Sequence, residues 1–305
     1  MSLRQRTINQ RILIEISGRF VSCFASEVAS KTLLYRVVKY TGLRCLCRVL
    51  YNVLSSKEIQ ILYNDYSIKG NLSANIKILH LSDLHLDNNT YRFTDLCEKI
   101  LNIQYDIAII TGDFFDSYIN SDSSNKYLEE LCDVLIGKSI NKMRPIVTLG
   151  NHDASEMIPI LESIGYIVLL NENFFMNING VDFAITGIDD TSHFYSRNSL
   201  RCALTSSSHI KILAAHTPEL ADFYSKKGYD LYICGHTHGG QIAVFKNMPI
   251  FKGLKRNKKL FSGKWRVSKM NGYTTRGVGC SLLPIRINVT PEITVHTLKI
   301  SKNDN

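Results

Sequence analysis

No stretch of this 305-residue chain approaches about eighteen uninterrupted apolar residues, which argues against a conventional membrane-spanning helix. A secretory signal is not expected either. After Arg4, Arg6 and Arg11 the apolar stretch that begins at Ile12 is broken by Glu15 and Arg19. The eight cysteines (23, 45, 47, 97, 132, 202, 234 and 280) form no CxxC pair and have no disulfide-like density. They read as reduced thiols in a cytosolic protein. Internal repeats and low-complexity tracts are absent. Acidic residues are missing from residues 246–269, which hold nine basic ones, and residues 1–70 carry a basic surplus of seven. Together these two segments exceed the whole net charge of +9, so the remainder is mildly acidic. Clustering of this kind implies an anionic partner: lipid headgroups, nucleic acid or a phosphorylated substrate.

What is present is the composition of an ordinary folded protein, 45% hydrophobic and 21% charged. Three zones emerge. In residues 1–70, Leu33, Val37, Tyr40, Leu43, Cys47, Leu50 and Leu54 recur at intervals of three or four, one apolar helical stripe flanked by Arg36, Lys39, Arg44 and Arg48. Such a helix lies in a membrane interface, packs on a neighbouring domain with arginines at its rim, or binds a partner. From residue 76 onward, strand-like runs (76–81, 106–111, 145–149, 210–215, 231–234) alternate with helical stretches near 92–101, 127–135, 156–164 and 218–225. The pattern predicts a layered α/β catalytic domain over 71–305, with helices covering sheets, behind a helical extension over 1–70. Short strands return at 285–289 and 293–298.

The informative residues follow the strands. Residues 76–81 run into Ser82-Asp83-Leu84-His85, and 106–111 into Gly112-Asp113-Phe114-Phe115-Asp116. Residues 145–149 run into Gly150-Asn151-His152-Asp153, 210–215 into His216, and 231–234 into Gly235-His236-Thr237-His238-Gly239-Gly240. Singly, each piece has a plain structural explanation, as a turn or a helix N-cap. The conjunction does not: ligand chemistry ends five successive strands, where ligands bind in open α/β sheets. Carboxylates, an amide oxygen and imidazoles without thiolate suit Mn²⁺, Fe²⁺ or Zn²⁺ rather than a structural zinc. The donors exceed what one open ion needs and match two ions about 3.5–4 Å apart.

The series D-x-H, G-D-x-x-D, G-N-H-D, H, G-H-x-H resembles the calcineurin-like metallophosphoesterase superfamily over residues 76–298. Gly235 through Gln241, with Tyr273-Thr-Thr-Arg276 and Pro284-Ile-Arg286, is similar to a bacterial branch. That branch includes membrane-associated phosphodiesterases and UDP-2,3-diacylglucosamine diphosphatases of lipid A synthesis. The resemblance implies a four-layer αββα sandwich and two divalent ions per chain, most simply Mn²⁺, with Fe²⁺, Zn²⁺ or Mg²⁺ as alternatives. It also implies roles. Asp83, His85 and His238 would hold one ion, Asn151, His216 and His236 the other, and Asp113 would bridge them. His152 would serve the leaving group, with Asp116 and Asp153 orienting it and the ligands. Two residues depart from the branch: Asp87 stands where glycine is common, and Ser117 follows Asp116 in place of a glycine turn.

Arg276 and Arg286 are candidates for substrate phosphate, since guanidinium binds phosphate oxygens bidentately, with a structural ion pair as the alternative for each. Trp265 and Phe261, interleaved with the charges of 246–269, suit a membrane interface or base stacking. The favoured activity is hydrolysis of a lipid-linked diester or pyrophosphate by an enzyme peripheral to the inner face of the cytoplasmic membrane. The alternatives are a broad-specificity phosphodiesterase or nuclease, and a metal-binding scaffold without catalysis.

Overall fold

A computed structural model describes residues 2–21, 58–70, 72–88, 91–204, 210–245, 248–281 and 283–302. The apolar stripe of residues 33–54 lies outside the described residues. In chain order the described strands are β1 (Gln60–Gly70), β2 (Ala74–Leu81), β3 (Ile107–Ile110), β4 (Ile146–Val147), β5 (Ile167–Val168), β6 (Glu172–Ile178) and β7 (Val181–Ile188). They continue with β8 (Ile210–Ala215), β9 (Leu231–Cys234), β10 (Ala243–Phe245), β11 (Met248–Pro249), β12 (Gly263–Val267), β13 (Met270–Thr274) and β14 (Glu292–Lys302). The main helices are α1 (Leu3–Val21), α2 (Phe93–Leu101), α3 (Asp122–Lys138) and α4 (Met157–Ile164). Two single turns, α5 (Asn198–Arg201) and α6 (Ala221–Tyr224), complete them.

Two six-stranded sheets stack face to face. One runs β1-β14-β2-β3-β4-β5 and the other β12-β13-β9-β8-β7-β6. Alternation within each strand decides the layers. Ile76 and Ile78 of β2 join Ile107 and Ile109 of β3, and meet Phe183, Ile185, Ile212 and Ile233 of the second sheet in one inter-sheet core. The opposite faces, with Leu79, Leu81, Ile110 and Val147, are covered by Leu96 and Ile100 of α2, Leu128, Leu131 and Leu135 of α3, and Met157 and Leu161 of α4. Leu213, Ala215 and Tyr232 of the second sheet are covered by Ala221 and Tyr224. The result is the four-layer αββα sandwich. The helix sequences fit this duty. In α3, Ser121 caps the start by accepting from the Ser124 N–H (3.3 Å), and its buried residues fall on one stripe. Each buried Leu or Ile there contributes about 1.5–3 kcal/mol.

Two expectations need correction. Residues 60–70 do not belong to an N-terminal extension: β1 pairs in parallel with β14 along its whole length, from Gln60–Glu292 to Gly70–Lys302. As an edge strand it is mostly solvated on one face, so its polar alternation hid it. Residues 285–289 form no strand. They make a single bridge, Ile242 to Ile287, because the loop is occupied in burying Arg286.

Between the sheets lies a fully buried imidazole pair. His80 Nε2 bonds the Thr111 hydroxyl (2.9 Å) and His80 Nδ1 meets His296 Nε2 (3.2 Å). Burial pushes His80 down to about 3 and also carries His296 well below its ordinary value. A depressed folded pKa means that the unfolded chain takes up the proton first. The stability due to neutral His80 is therefore fully present above pH ~6.5 and is lost toward pH ~3, at about 1.4 kcal/mol per pH unit. Urea unfolding is expected to shift to lower midpoints from pH 7 to pH 5, and His80→Gln to flatten that slope. An unchanged slope would place the acid sensitivity elsewhere.

Candidate metal centre

Three of the strands that point at the centre, β2, β3 and β9, run into a backbone conformation that side-chain-bearing residues seldom adopt. Asp83 (φ 52°), His85 (φ 42°), Asp113 (φ 58°), His236 (φ 71°) and His238 (φ 50°) all lie in the left-handed region. Such residues persist only where their surroundings over-determine them, and they concentrate at functional sites. Glycine does the complementary work where loops touch. A Cβ on Gly150 would lie 2.1 Å from Asp113 Oδ1, and one on Gly235 would lie 2.1 Å from Ser82 Oγ. Asp153 ties the same loops together. Its buried carboxylate accepts from the N–H groups of Asp113 (2.8 Å), Phe114 (2.9 Å) and Gly150 (2.8 Å).

The seven predicted ligands converge. Asp83 Oδ1 is 3.4 Å from His238 Nε2, and the His85 and His238 rings are 5.0 Å apart. Asp113 Oδ2 is 3.2 Å from His216 Nε2 and 3.9 Å from His85 Nε2, a position between the two sets. Asn151 Oδ1 is 3.1 Å from His216 Nε2 and 2.8 Å from His236 Nδ1, which are themselves 3.2 Å apart. Two overlapping trios can each hold one ion: Asp83, His85 and His238, and Asp83, Asp113 and His216.

The outer nitrogens decide what the inner ones are. His216 Nδ1 faces the Thr111 carbonyl (2.6 Å), and His236 Nε2 faces the Gly253 carbonyl (3.1 Å). A carbonyl can only accept, so both outer nitrogens carry the proton and the inner ones present lone pairs when the ring is neutral. Those lone pairs crowd the Asn151 oxygen, with no donor to separate them. His85 adds a buried Nε2 without a hydrogen-bond partner, its Nδ1 lying 3.1 Å from Asp116 Oδ1. Inward-facing lone pairs with no donor between them are unfavourable unless a cation fills the space, so the residues fit a metal pair. Protonation is the alternative. Burial by itself would lower His216, but the Asp113 carboxylate beside it, with Asp83 and Asp190, carries it up to about 10. A proton on His216 and a metal ion at its Nε2 therefore compete.

With this geometry established, comparison with known proteins is informative. The family described as calcineurin-like phosphoesterase matches residues 76–240, more than half of the chain. This chain belongs to the calcineurin-like phosphoesterase family. Among its relatives, phosphodiesterase YaeI of Escherichia coli (strain K12) is 28% identical over 229 residues, covering 73% of this chain and 82% of that protein. An uncharacterized metallophosphoesterase, YkoQ of Bacillus subtilis (strain 168), is 28% identical over 263 residues, covering 80% and 92%. Membership makes the chain a phosphoester hydrolase with a dinuclear divalent metal site.

The remaining predicted residues divide. His152 sits at the edge of the phosphoesterase centre: its N–H donates to Asp113 Oδ1 (2.9 Å) and its Nδ1 meets the Asp116 carbonyl (2.9 Å). The Asp116 carboxylate lies 3.8 Å from that nitrogen, while His152 Nε2 is 3.4 Å from Ser281 Oγ. Asp116 thus touches both His85 and His152, whereas Asp153 holds loops and makes no contact with the His152 ring. Arg286 is corrected as a substrate contact. It is 1% exposed, and its guanidinium donates to the carbonyls of Arg276 (2.8 Å) and Gly279, with Nη2 3.3 Å from His238 Nδ1. Its work is to brace the His238 loop. Arg276 forms an ion pair with buried Glu292. Trp265 is corrected as well: it packs on Tyr232 and Gly272 and donates to Thr274 (2.9 Å), inside the second sheet's outer core.

Three functional contacts escaped the sequence. Gln241 locks the loop beside His152 by accepting from the Ser281 N–H (2.9 Å) and donating to the Leu283 carbonyl (2.9 Å). Arg11 of α1 reaches the carbonyls of Gly150 (2.8 Å) and Asp153 and pairs with buried Asp189. Asp87 explains both departures from the branch pattern at once: its carboxylate accepts from the N–H groups of Asp116 (2.7 Å) and Ser117 (3.1 Å), fixing without glycine the loop that faces His85 and His152. Asp87→Ala is expected to lower kcat about tenfold while leaving metal content unchanged, since two partly exposed charge-assisted bonds are worth about 1.5–3 kcal/mol in total. Metal analysis beside steady-state kinetics separates this from loss of the centre.

Proposed function

We propose that this phosphoesterase hydrolyses a lipid-linked phosphodiester or pyrophosphate, with UDP-2,3-diacylglucosamine as the favoured substrate, giving a lipid monophosphate and UMP. The observation that carries the hydrolytic part is the donor-free cage formed by Asn151, His216 and His236 beside Asp113. When bound, two divalent cations, most simply Mn²⁺, would supply hydroxide near neutral pH and neutralise phosphoryl oxygens. Asp83, His85 and His238 would hold one, Asn151, His216 and His236 the other, with Asp113 shared. The chain's own residues do the rest. His152 is half-buried, with Nδ1 on the Asp116 carbonyl and the Asp116 carboxylate close by. Held this way, the ring would serve the leaving oxygen through its other nitrogen, Nε2, as charge grows there. No serine or cysteine nucleophile is needed.

The lipid part is supported by the basic segments and by the branch resemblance, and the diester part by the name of the relative YaeI, a phosphodiesterase. On this reading the enzyme works at the inner face of the cytoplasmic membrane as a peripheral protein. No described helix is long and apolar enough to cross a membrane. The test is release of UMP from UDP-2,3-diacylglucosamine in detergent micelles with Mn²⁺, beside hydrolysis of bis-p-nitrophenyl phosphate. Fast UMP release supports the substrate. Diester hydrolysis without UMP release keeps the hydrolase and overturns the lipid reading, leaving a broad phosphodiesterase or a nuclease.

A further inference from the structure

Immediately after the last metal-binding motif the chain forms the hairpin β10–β11 and presents its large apolar side chains outward. Val244, Phe245, Met248, Ile250 and Phe251 are between 58% and 74% exposed. Isolated exposed apolar residues are ordinary, but five within eight positions of one hairpin form a contiguous ridge. Charge is a common way to blunt an exposed edge, and β10 carries Val244 and Phe245 there instead. The ridge is also firmly mounted. Ile250 N–H bonds the Ile242 carbonyl (3.0 Å), Asn288 Nδ2 donates to the carbonyls of Ala243 (3.0 Å) and Val244 (3.1 Å), and Pro249 packs against Gly240.

Basic residues follow the ridge directly. Lys255, Arg256, Lys258 and Lys259 are exposed, and Lys252 lies over the Phe261 ring at 4.5 Å. From Asp230 to Glu292 the sequence contains no acid. Glu219 faces this loop, and its carboxylate is engaged with the backbone N–H groups of Lys255 (2.8 Å) and Arg256. Apolar residues beside a cationic collar match a bilayer interface with anionic headgroups, where apolar burial and charge attraction add.

We propose that the β10–β11 hairpin is the contact through which this phosphoesterase sits on an anionic lipid bilayer, with Phe245, Ile250 and Phe251 in the interface and the residue 255–259 cations on the headgroups. Position gives the contact its purpose. The Gly253 carbonyl bonds His236 (3.1 Å), and Gly240 stands two residues after His238, so the ridge and the metal centre share one loop system. A phosphate attached to a bilayer lipid would thereby be delivered to the centre. That purpose rests on the lipid-linked reading above, whereas the contact itself rests on the hairpin.

Flotation of the full chain with phosphatidylcholine vesicles, with and without phosphatidylglycerol, tests it. The wild type is expected to float with the anionic vesicles, and the Phe245→Ser/Ile250→Ser/Phe251→Ser variant to partition about tenfold less or weaker. Turnover of water-soluble bis-p-nitrophenyl phosphate should be unchanged in that variant, which also shows that it is folded. Equal flotation of both proteins would overturn the proposal by placing the contact elsewhere in the chain. Failure of the wild type to float would do the same, as would a wild-type dimer that the variant abolishes, which would make the ridge a self-association face. Loss of diester turnover in the wild type itself would instead sink the hydrolytic reading and leave the lipid contact standing.

Discussion

Asp113→Asn is expected to reduce diester turnover by about 10³-fold or more, equivalent to roughly 4 kcal/mol of transition-state stabilisation. The substitution preserves shape, and the oxygen that accepts the His152 N–H at 2.9 Å can stay in place. What changes is the other atom. Asp113 Oδ2, 3.2 Å from His216 Nε2 and 3.9 Å from His85 Nε2, becomes an amide nitrogen. A donor then points into the cage of lone pairs. The anionic oxygen between the two ligand sets is lost, and the imidazoles acquire a neutral partner that satisfies them without a cation. The electrostatics agree. Burial alone would raise the Asp113 carboxyl, yet His216, His152 and His85 hold it well below the usual carboxylate range. It is therefore ionised throughout the physiological range. Metal analysis after dialysis should show reduced occupancy in the variant. Undiminished turnover with full metal content would remove Asp113 from the bridging role.

The centre was legible in the sequence for a physical reason. A ligand at a strand's end must follow an apolar run, and Asp, Asn and His following such runs five times over are visible without any structure. The αββα layering was partly legible for the same reason: buried strands such as β3 and β8 read as continuous apolar runs. The hairpin of β6 and β7 carries Asn, Glu and Asp on its solvated face and did not stand out. Strand β1 was hidden in the same way, at an edge where only one side of the strand is in the core.

Residues that act through burial were illegible. Arg286 and Arg276 look like phosphate ligands in a sequence, since nothing local distinguishes an arginine facing solvent from one facing carbonyls. Only the fold shows Arg286 spent on the His238 loop and Arg276 on Glu292. Asp87 looked like a defect in a motif, and it is the residue that replaces the missing glycine turn. Arg11 counted only as one charge in a basic surplus. Apart from Glu15, one helical turn on, its partners lie about 140 to 180 residues away, beyond any spacing rule.

Arg11→Met should therefore have the largest effect on stability, a loss of about 3–5 kcal/mol. Methionine keeps much of the stem that packs against Phe194, whose ring centroid lies 3.8 Å from the guanidinium carbon. It leaves Asp189 buried without its cation, and the carbonyls of Gly150 and Asp153 without their donor. The pH dependence identifies the cause. Burial pushes Asp189 up to about 6, Arg11 pulls it down and Asp190 pushes it up. A carboxyl whose folded pKa is raised contributes stability that is fully present below its unfolded value, near 4, and is lost as pH rises through the folded value. Removing Arg11 takes away the pull, so the loss continues to higher pH than in the wild type. The deficit of the variant should be smaller at pH 5, where Asp189 is largely protonated in both proteins, than at pH 8. Urea midpoints of the two proteins at those pH values measure it. An equal deficit at both would mean that Asp189 is not the counter-charge. No deficit at either would mean that α1 does not hold the Asn151–His152 loop at all, and that the contact spanning the chain from Arg11 to Asp189 contributes nothing to the fold.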